Sequence, residues 1–189
     1  MTELVQKVNS PEIFLHCLRS YKFSVAIGMH IGEKFDREVL YLATIMHDLS
    51  LSKEYAGPDD FELESARGAH GYLLESGYDK EKTDIIHEAI ALHTSAGEAS
   101  KKDPEVRLAN YGIGLDVLGI QQHNIARRTI EAVIQAHSRS NFPEALLNEV
   151  TLDAANKPNS HIRGFLDLGL GKGMHANPLC KMHRRLTQL

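Results

Sequence analysis

The stretch YLATIMHDLSLSKEY, Tyr41–Tyr55, decides how the rest of the chain is read. Leu42, Ala43, Ile45 and Met46 continue an apolar pattern begun at Val39 and Leu40, with the spacing of one helix face. The pattern ends on adjacent His47 and Asp48, polar groups that a core helix does not need for packing. Neighbouring residues on a regular helix diverge by about 100°. Both side chains can therefore serve one centre only if the helix ends or distorts there, and HDLSLSKEY is compatible with an end. Taken alone, the pair equally fits a core histidine followed by a capping aspartate.

Working outward, helix signals recur and strand signals hardly occur. Ser10-Pro11-Glu12 supplies an N-cap, a proline at the first helical position and an early acid, opening a helix that runs to about Ile31. Asp36 can cap the helix that reaches His47. AGPDD, Ala56–Asp60, is a loop by its Gly-Pro pair. A helix from about Phe61 to Ser76 is closed by Gly77, and the next starts at Asp79 with Ile85, Ile86, Ala89, Ile90 and Leu92 as its apolar stripe. Asp103-Pro104 opens a fifth, Ile125–His137 forms a sixth, and Asn141–Asn156 a seventh, stopped by Pro158. HIRGFLDLGLG, His161–Gly171, is a short last helix. No repeat, linker or low-complexity segment divides the chain. The expectation is an all-α fold, one helical bundle over residues 1–189, with a motif-bearing core at about 10–137 and C-terminal helices and tail at 138–189.

Composition narrows the function classes. A chain of 189 residues can bury a core without staples. Its formal charge of −4 and lack of a basic block do not indicate a nucleic-acid groove. The one dense basic stretch, KMHRRL at Lys181–Leu186, reads as a solvated helix end. Cys17 and Cys180 form no disulfide framework, which fits a reducing cytoplasm. The N-terminus carries acid early and lacks a long apolar run, so no signal peptide is expected, nor any membrane partner. A small-molecule substrate is the expected partner, with homo-oligomerisation left open. The unusual feature is eleven histidines.

His16 lies mid-helix among apolar neighbours in IFLHCLRSYKF, and Asp116 does so in NYGIGLDVLG. His93 ends its helix in AIALHTS. A buried carboxylate is expensive unless paired or bound to a metal, so Asp48 and Asp116 both need partners. Imidazole nitrogens with carboxylate oxygens suit Zn, Fe, Mn, Ni or Co, and a bundle can deliver such ligands from separate helices. His16, His47, Asp48 and Asp116 can form one such site.

An isolated His, then His-Asp together, then a distant Asp resembles the HD-domain superfamily of metal-dependent enzymes. LRSYKF after His16, MHDLSL, FELESARGAHGYLLESGY, AIALHTS and GIGLDVLG are most similar to its cyanamide-hydratase-like branch. The resemblance covers roughly Leu15–Gly119. It implies a helical bundle of the HD type, with His16, His47, Asp48 and Asp116 as ligands of one divalent transition metal. Zn or Fe is favoured, with Mn, Ni or Co open. Two departures bear on the substrate. Ser50 stands where that branch is expected to carry glycine, and Asp60 where an arginine is expected before the Phe-Glu pair.

His47, His70, His93 and Asp116 follow one another at intervals of 23 residues. Some HD proteins use two further histidines in this interval to hold a second metal, which gives His70 and His93 that candidate role. A partly exposed His70, and a His93 that contacts substrate or supports a ligand, is the alternative. Arg19, three residues after His16 and so on nearly the same face, can orient a ligand carboxylate or an anionic substrate. Lys53 can reach the pocket from the turn after Asp48, and Glu62 can brace a ligand histidine. Phe23, Leu51, Leu92 and Tyr111 are expected to line it.

The expected chemistry is water activation by the metal, with Asp48 handling a proton and His93 donating to developing negative charge. The substrate is then a small molecule such as cyanamide or a related nitrile. Two alternatives remain open. One is an HD phosphohydrolase or dinuclear iron oxygenase, and the other a non-catalytic helical domain with a structural metal.

Overall fold

A computed structural model of the protein describes residues 1–187. Gln188 and Leu189, the end of the expected tail, lie outside the described residues. The fold is all-α: twelve helices and two 3-10 turns, with no strand among the described residues. The helices are α1 Thr2–Val8, α2 Pro11–Ile31, α3 Arg37–Met46, α4 Phe61–Glu75, α5 Lys80–Ala91 and α6 Ala96–Ala99. They continue as α7 Pro104–Leu118, α8 Arg127–Ala136, α9 Phe142–Asn156, α10 His161–Asp167, α11 Leu170–Ala176 and α12 Pro178–Leu186. Four of these were not anticipated as separate elements: α1, the one-turn α6, α11 (split from α10 at Gly169) and α12.

The helix ends follow their local chemistry. Ser10 Oγ accepts from the Ile13 amide to open α2, and the Asp36 carboxylate accepts from the Glu38 and Val39 amides to open α3, each satisfying amides that a helix start leaves unpaired. At the far end of α7, Gly119 adopts φ 75°, ψ 12°, a left-handed cap that favours glycine.

The core is built around α2 and α7, the most extensively packed pair, with α3 and α5 completing the bundle and α4 lying against α5. Phe23 and Ile27 of α2, Leu40 and Ile45 of α3, Ile86 and Ile90 of α5, and Val106 and Leu115 of α7 are fully enclosed. The C-terminal half wraps this core. α8 and α9 pack on α2, α11 on α7 and α9, and α12 on α8. No helix among the described residues is long and apolar enough to cross a membrane.

α2 and α7 approach so closely at Gly112 that a Cβ there would lie 2.6 Å from the Ser24 amide nitrogen and against the Ser20 carbonyl. Backbone cannot rotate away as a side chain can, so Gly112→Ala is an overpacking change. It should destabilise the protein by about 2 kcal/mol or more, read from the midpoint of denaturant unfolding. An unchanged midpoint would mean that α2 and α7 are not seated this tightly.

Candidate metal centre

α3 stops at Met46, and the backbone turns there. His47 keeps helical angles, but Asp48 sits at φ −105°, ψ 21° before a 3-10 turn over Leu49–Leu51. This distortion brings two adjacent side chains onto one centre. His47 Nε2 lies 3.2 Å from Asp48 Oδ2. From α2, His16 Nε2 comes within 3.1 Å of His47 Nε2 and 3.7 Å of Asp48 Oδ2. His16, His47 and Asp48 are the cluster with metal-ligand spacing among the described residues, and all three are buried. His93, at the end of α5, approaches from another side, with Nε2 4.0 Å from Asp48 Oδ1.

Each imidazole is oriented by its other nitrogen. Nδ1 of His16 faces Asp116 Oδ2 at 2.7 Å, Nδ1 of His47 faces the Thr44 carbonyl at 2.8 Å, and Nδ1 of His93 faces the Ile90 carbonyl at 2.7 Å. An acceptor at Nδ1 places the ring proton there and leaves a lone pair on Nε2. Three lone pairs thus converge on Asp48, whose Oδ2 is buried without a hydrogen bond. Two facing imidazole lone pairs and an unsatisfied carboxylate oxygen make a pocket that demands positive charge. Those donors fit a divalent metal ion.

The electrostatics agree. Burial opposes ionisation of Asp48, yet neighbouring His47, followed by His16 and His93, holds its carboxyl well below the usual range. Burial also disfavours a charged His47, but Asp48 and Cys17 together outweigh it and raise the imidazole well above its ordinary value. A proton at His47 is one way to supply the missing charge, and a cation is the other. Burial, then the proximity of His47, pushes His93 down to about 3, so that ring is neutral at physiological pH.

Asp116, expected as a ligand, stands one imidazole behind the cluster. Its oxygens receive Arg19 Nε at 2.9 and 3.1 Å, Arg19 Nη2 at 2.8 Å, and Arg139 Nη1 at 2.9 Å, besides His16. With its oxygens facing these donors, it holds the Nδ1 side of His16 and lies outside the cluster that has metal-ligand spacing. Burial alone would raise its pKa, but Arg139 and then Arg19 hold the carboxyl far below the normal range. Arg19 is therefore the partner of this carboxylate and does not line the pocket.

The other candidates fall elsewhere. His70 pairs with Asp84 on the α4–α5 surface at 3.0 Å, in a shallow pocket with Arg67 and His87. It is not part of the cluster with metal-ligand spacing, and His93 lines a different pocket from it. Lys53 is exposed. Glu62 is buried, but it accepts from Thr94 Oγ1 at 2.6 Å and braces no ligand histidine. Ser50, in the position of an expected glycine, hydrogen-bonds to the Phe61 carbonyl. Asp60 accepts from the His161 amide, joining α4 to α10.

A cavity of about 270 Å³ opens beside the cluster. Phe61, His93 and Thr94 line it, together with Asn110, Ile113, Gly114 and Val117 of α7. Leu146 and Val150 of α9, Ile162 and Phe165 of α10, and Leu170 of α11 form its far wall. None of the expected lining residues Phe23, Leu51, Leu92 or Tyr111 takes part. Phe23 is core. The actual α7 stripe follows i, i+3, i+4, i+7 spacing from Asn110, a signal present in the sequence. Arg139 and Phe142 had no such signal. Phe142 stacks on His16 at 4.6 Å, and the Arg19 and Arg139 guanidiniums lie 4.8 and 5.0 Å from its ring centre.

Comparison with known families agrees with this geometry: the family model of the HD domain matches residues 13–136, about two thirds of the chain. No curated protein matches it.

Two outcomes follow for the centre. His47→Ala or Asp48→Ala should lose bound metal while keeping helical structure, whereas His70→Ala should retain the wild-type metal-to-protein ratio; elemental analysis with circular dichroism reads both. A fall in that ratio on losing His70 would contradict the single-centre arrangement. Asp116→Asn leaves two buried arginines short of a carboxylate and should cost about 3–5 kcal/mol at neutral pH. Because Asp116 ionises more readily in the folded state, its contribution is complete above the unfolded pKa of about 4 and declines as pH falls below it. The stability gap between wild type and Asp116→Asn, measured by denaturant titration, should therefore narrow under acid.

Proposed function

The chain belongs to the HD-domain family, whose members are generally metal-dependent hydrolases, and on that premise we propose that it adds water to a small neutral molecule with a polarised multiple bond, cyanamide or a related nitrile. The observation that carries this reading is the absence of any lysine or arginine among the residues lining the cavity. A phosphate ester needs compensating positive charge at its oxygens. The two buried arginines nearby are both directed at Asp116.

His16, His47 and Asp48 would hold the ion, with His93 Nε2 facing the same space. A divalent cation there supplies Lewis acidity, polarising the substrate and making water acidic enough to react near neutral pH. The chain's residues do the rest. Asp48, holding the ion through one carboxylate oxygen, accepts on the other a proton from water as the water oxygen bonds to the nitrile carbon. One carbon–nitrogen π bond breaks, and the nitrogen takes up that proton to give an imidic acid, HO–C=NH; the hydroxyl proton then passes to nitrogen as the second carbon–nitrogen π bond gives way to C=O, leaving the amide, and cyanamide becomes urea. His93 has its only ring proton committed to the Ile90 carbonyl. Its part is to accept a proton or bind the ion, not to donate to the developing charge. Asp116 keeps His16 in the ligating tautomer, and the apolar wall limits bulk water.

The ion is assigned as Zn or Fe from its nitrogen and oxygen donors. A reducing compartment such as the cytoplasm suits the free thiols of Cys17 and Cys180.

Metal-replete protein should release urea from cyanamide or amide from simple nitriles, and no phosphate from a panel of nucleotides. Asp48→Asn should lower that rate by at least a hundredfold. Phosphate release without amide formation would replace this reading with a phosphohydrolase.

A further inference from the structure

Cyanamide has three heavy atoms, yet the cavity holds about 270 Å³, far beyond the ~30 Å³ share of a single water. Most of its wall is apolar. Its mouth is apolar too: Leu118 and Ile120 line the cavity while remaining 39% and 43% exposed. Much of the far wall comes from α9, α10 and α11, outside the segment matched to the HD family. A substrate that touched only the ion would leave this surface unused.

Apart from the cluster, His93 and Thr94, one polar side chain breaks the apolar lining. Asn110 is 4% exposed, and its amide nitrogen donates to the His93 main-chain carbonyl at 2.8 Å. A carbonyl can only accept, so this bond fixes which end of the side-chain amide is nitrogen. Oδ1 is left on the other side, buried and without a partner. An enclosed acceptor is costly to leave unmet, and this one belongs to a side chain that lines the cavity.

We propose that the cavity takes a neutral ligand with an apolar body of several carbons and an N–H or O–H donor on its reacting carbon, with Asn110 Oδ1 accepting from that donor. N-alkylcyanamides are substrates of this kind, and primary alkyl amides share the same recognition elements. Asn110 is then the specificity residue for the donor, and the α9–α11 wall selects the body. The inference rests on the cluster of His16, His47 and Asp48 being the metal centre of a hydratase-like site.

Binding of three probes to zinc-loaded full-length protein tests it by isothermal titration, without any need for turnover. The probes are hexanamide, its isostere heptan-2-one (a methyl in place of the amide nitrogen) and the shorter propanamide. Burying a methylene is worth about fourfold in affinity. Hexanamide should bind at least tenfold more tightly than propanamide, and at least tenfold more tightly than heptan-2-one, which lacks the donor. In Asn110→Leu the preference over heptan-2-one should fall to within twofold. Equal binding of hexanamide and heptan-2-one by wild type would overturn the role of Asn110. Equal binding of the two amides would overturn the apolar body, and no binding of any probe at millimolar concentration would overturn both. If these preferences hold while no nitrile is hydrated, the ligand class stands and the proposed reaction falls. Hydration of nitriles without the preferences removes this inference alone.

Discussion

The arrangement turns on one buried carboxylate. Asp116 lies in the middle of α7 with no solvent to stabilise its charge, and a lone ionised group there would be strongly unfavourable. Arg19 from α2 and Arg139 from the segment before α9 meet it, and His16 supplies a further contact. The Asp116 main-chain carbonyl is also satisfied, by Arg139 Nη1 and by Asn177 Nδ2 at 2.9 and 3.0 Å. That hydrogen-bond network ties α2, α7, the turn before α9 and the start of α12 to one point. Phe142 packs over both guanidiniums and stacks on His16, closing the same junction.

The chemistry of the site follows from this junction by one step of hydrogen bonding. Asp116 holds the Nδ1 side of His16, so the Nε2 lone pair is turned toward His47 and Asp48. Main-chain carbonyls of Thr44 and Ile90 do the same for His47 and His93. Both of those carbonyls lie three residues before their histidine, near the C-terminal end of α3 or α5, where helix carbonyls lack intrahelical partners. The helix ends therefore set the tautomers of two imidazoles at the centre, and a buried ion pair sets the third.

The centre and its cavity also divide along the chain. The cluster and Asp116 come from residues within the HD-family match, while Arg139 and much of the apolar wall come from beyond it. The Asp60 and Glu62 contacts to His161 fasten α10 over the cavity from the α4 side. The later helices thus shape what can reach the centre.

Sequence alone determined most of the helices and the cluster's ingredients, because both have local causes. Ser10, Asp36 and Gly77 act on amides or backbone angles within a few residues, and a 3.6-residue apolar period reports one buried face. His47 and Asp48 were legible because they interrupt such a face, and the need of Asp116 for a partner was legible from the cost of burying its charge. Arg19 was legible as a residue able to orient a ligand carboxylate, but the second partner was not. Arg139 lies in HSRSN, a stretch with no periodicity, 23 residues from Asp116, and only packing brings it there. The position of Asp116 behind His16, the pairing of His70 with Asp84 away from the cluster and the apolar cavity were likewise decided by tertiary structure. Each depends on which side of a helix meets which neighbour, a relation between distant segments that local propensity does not encode.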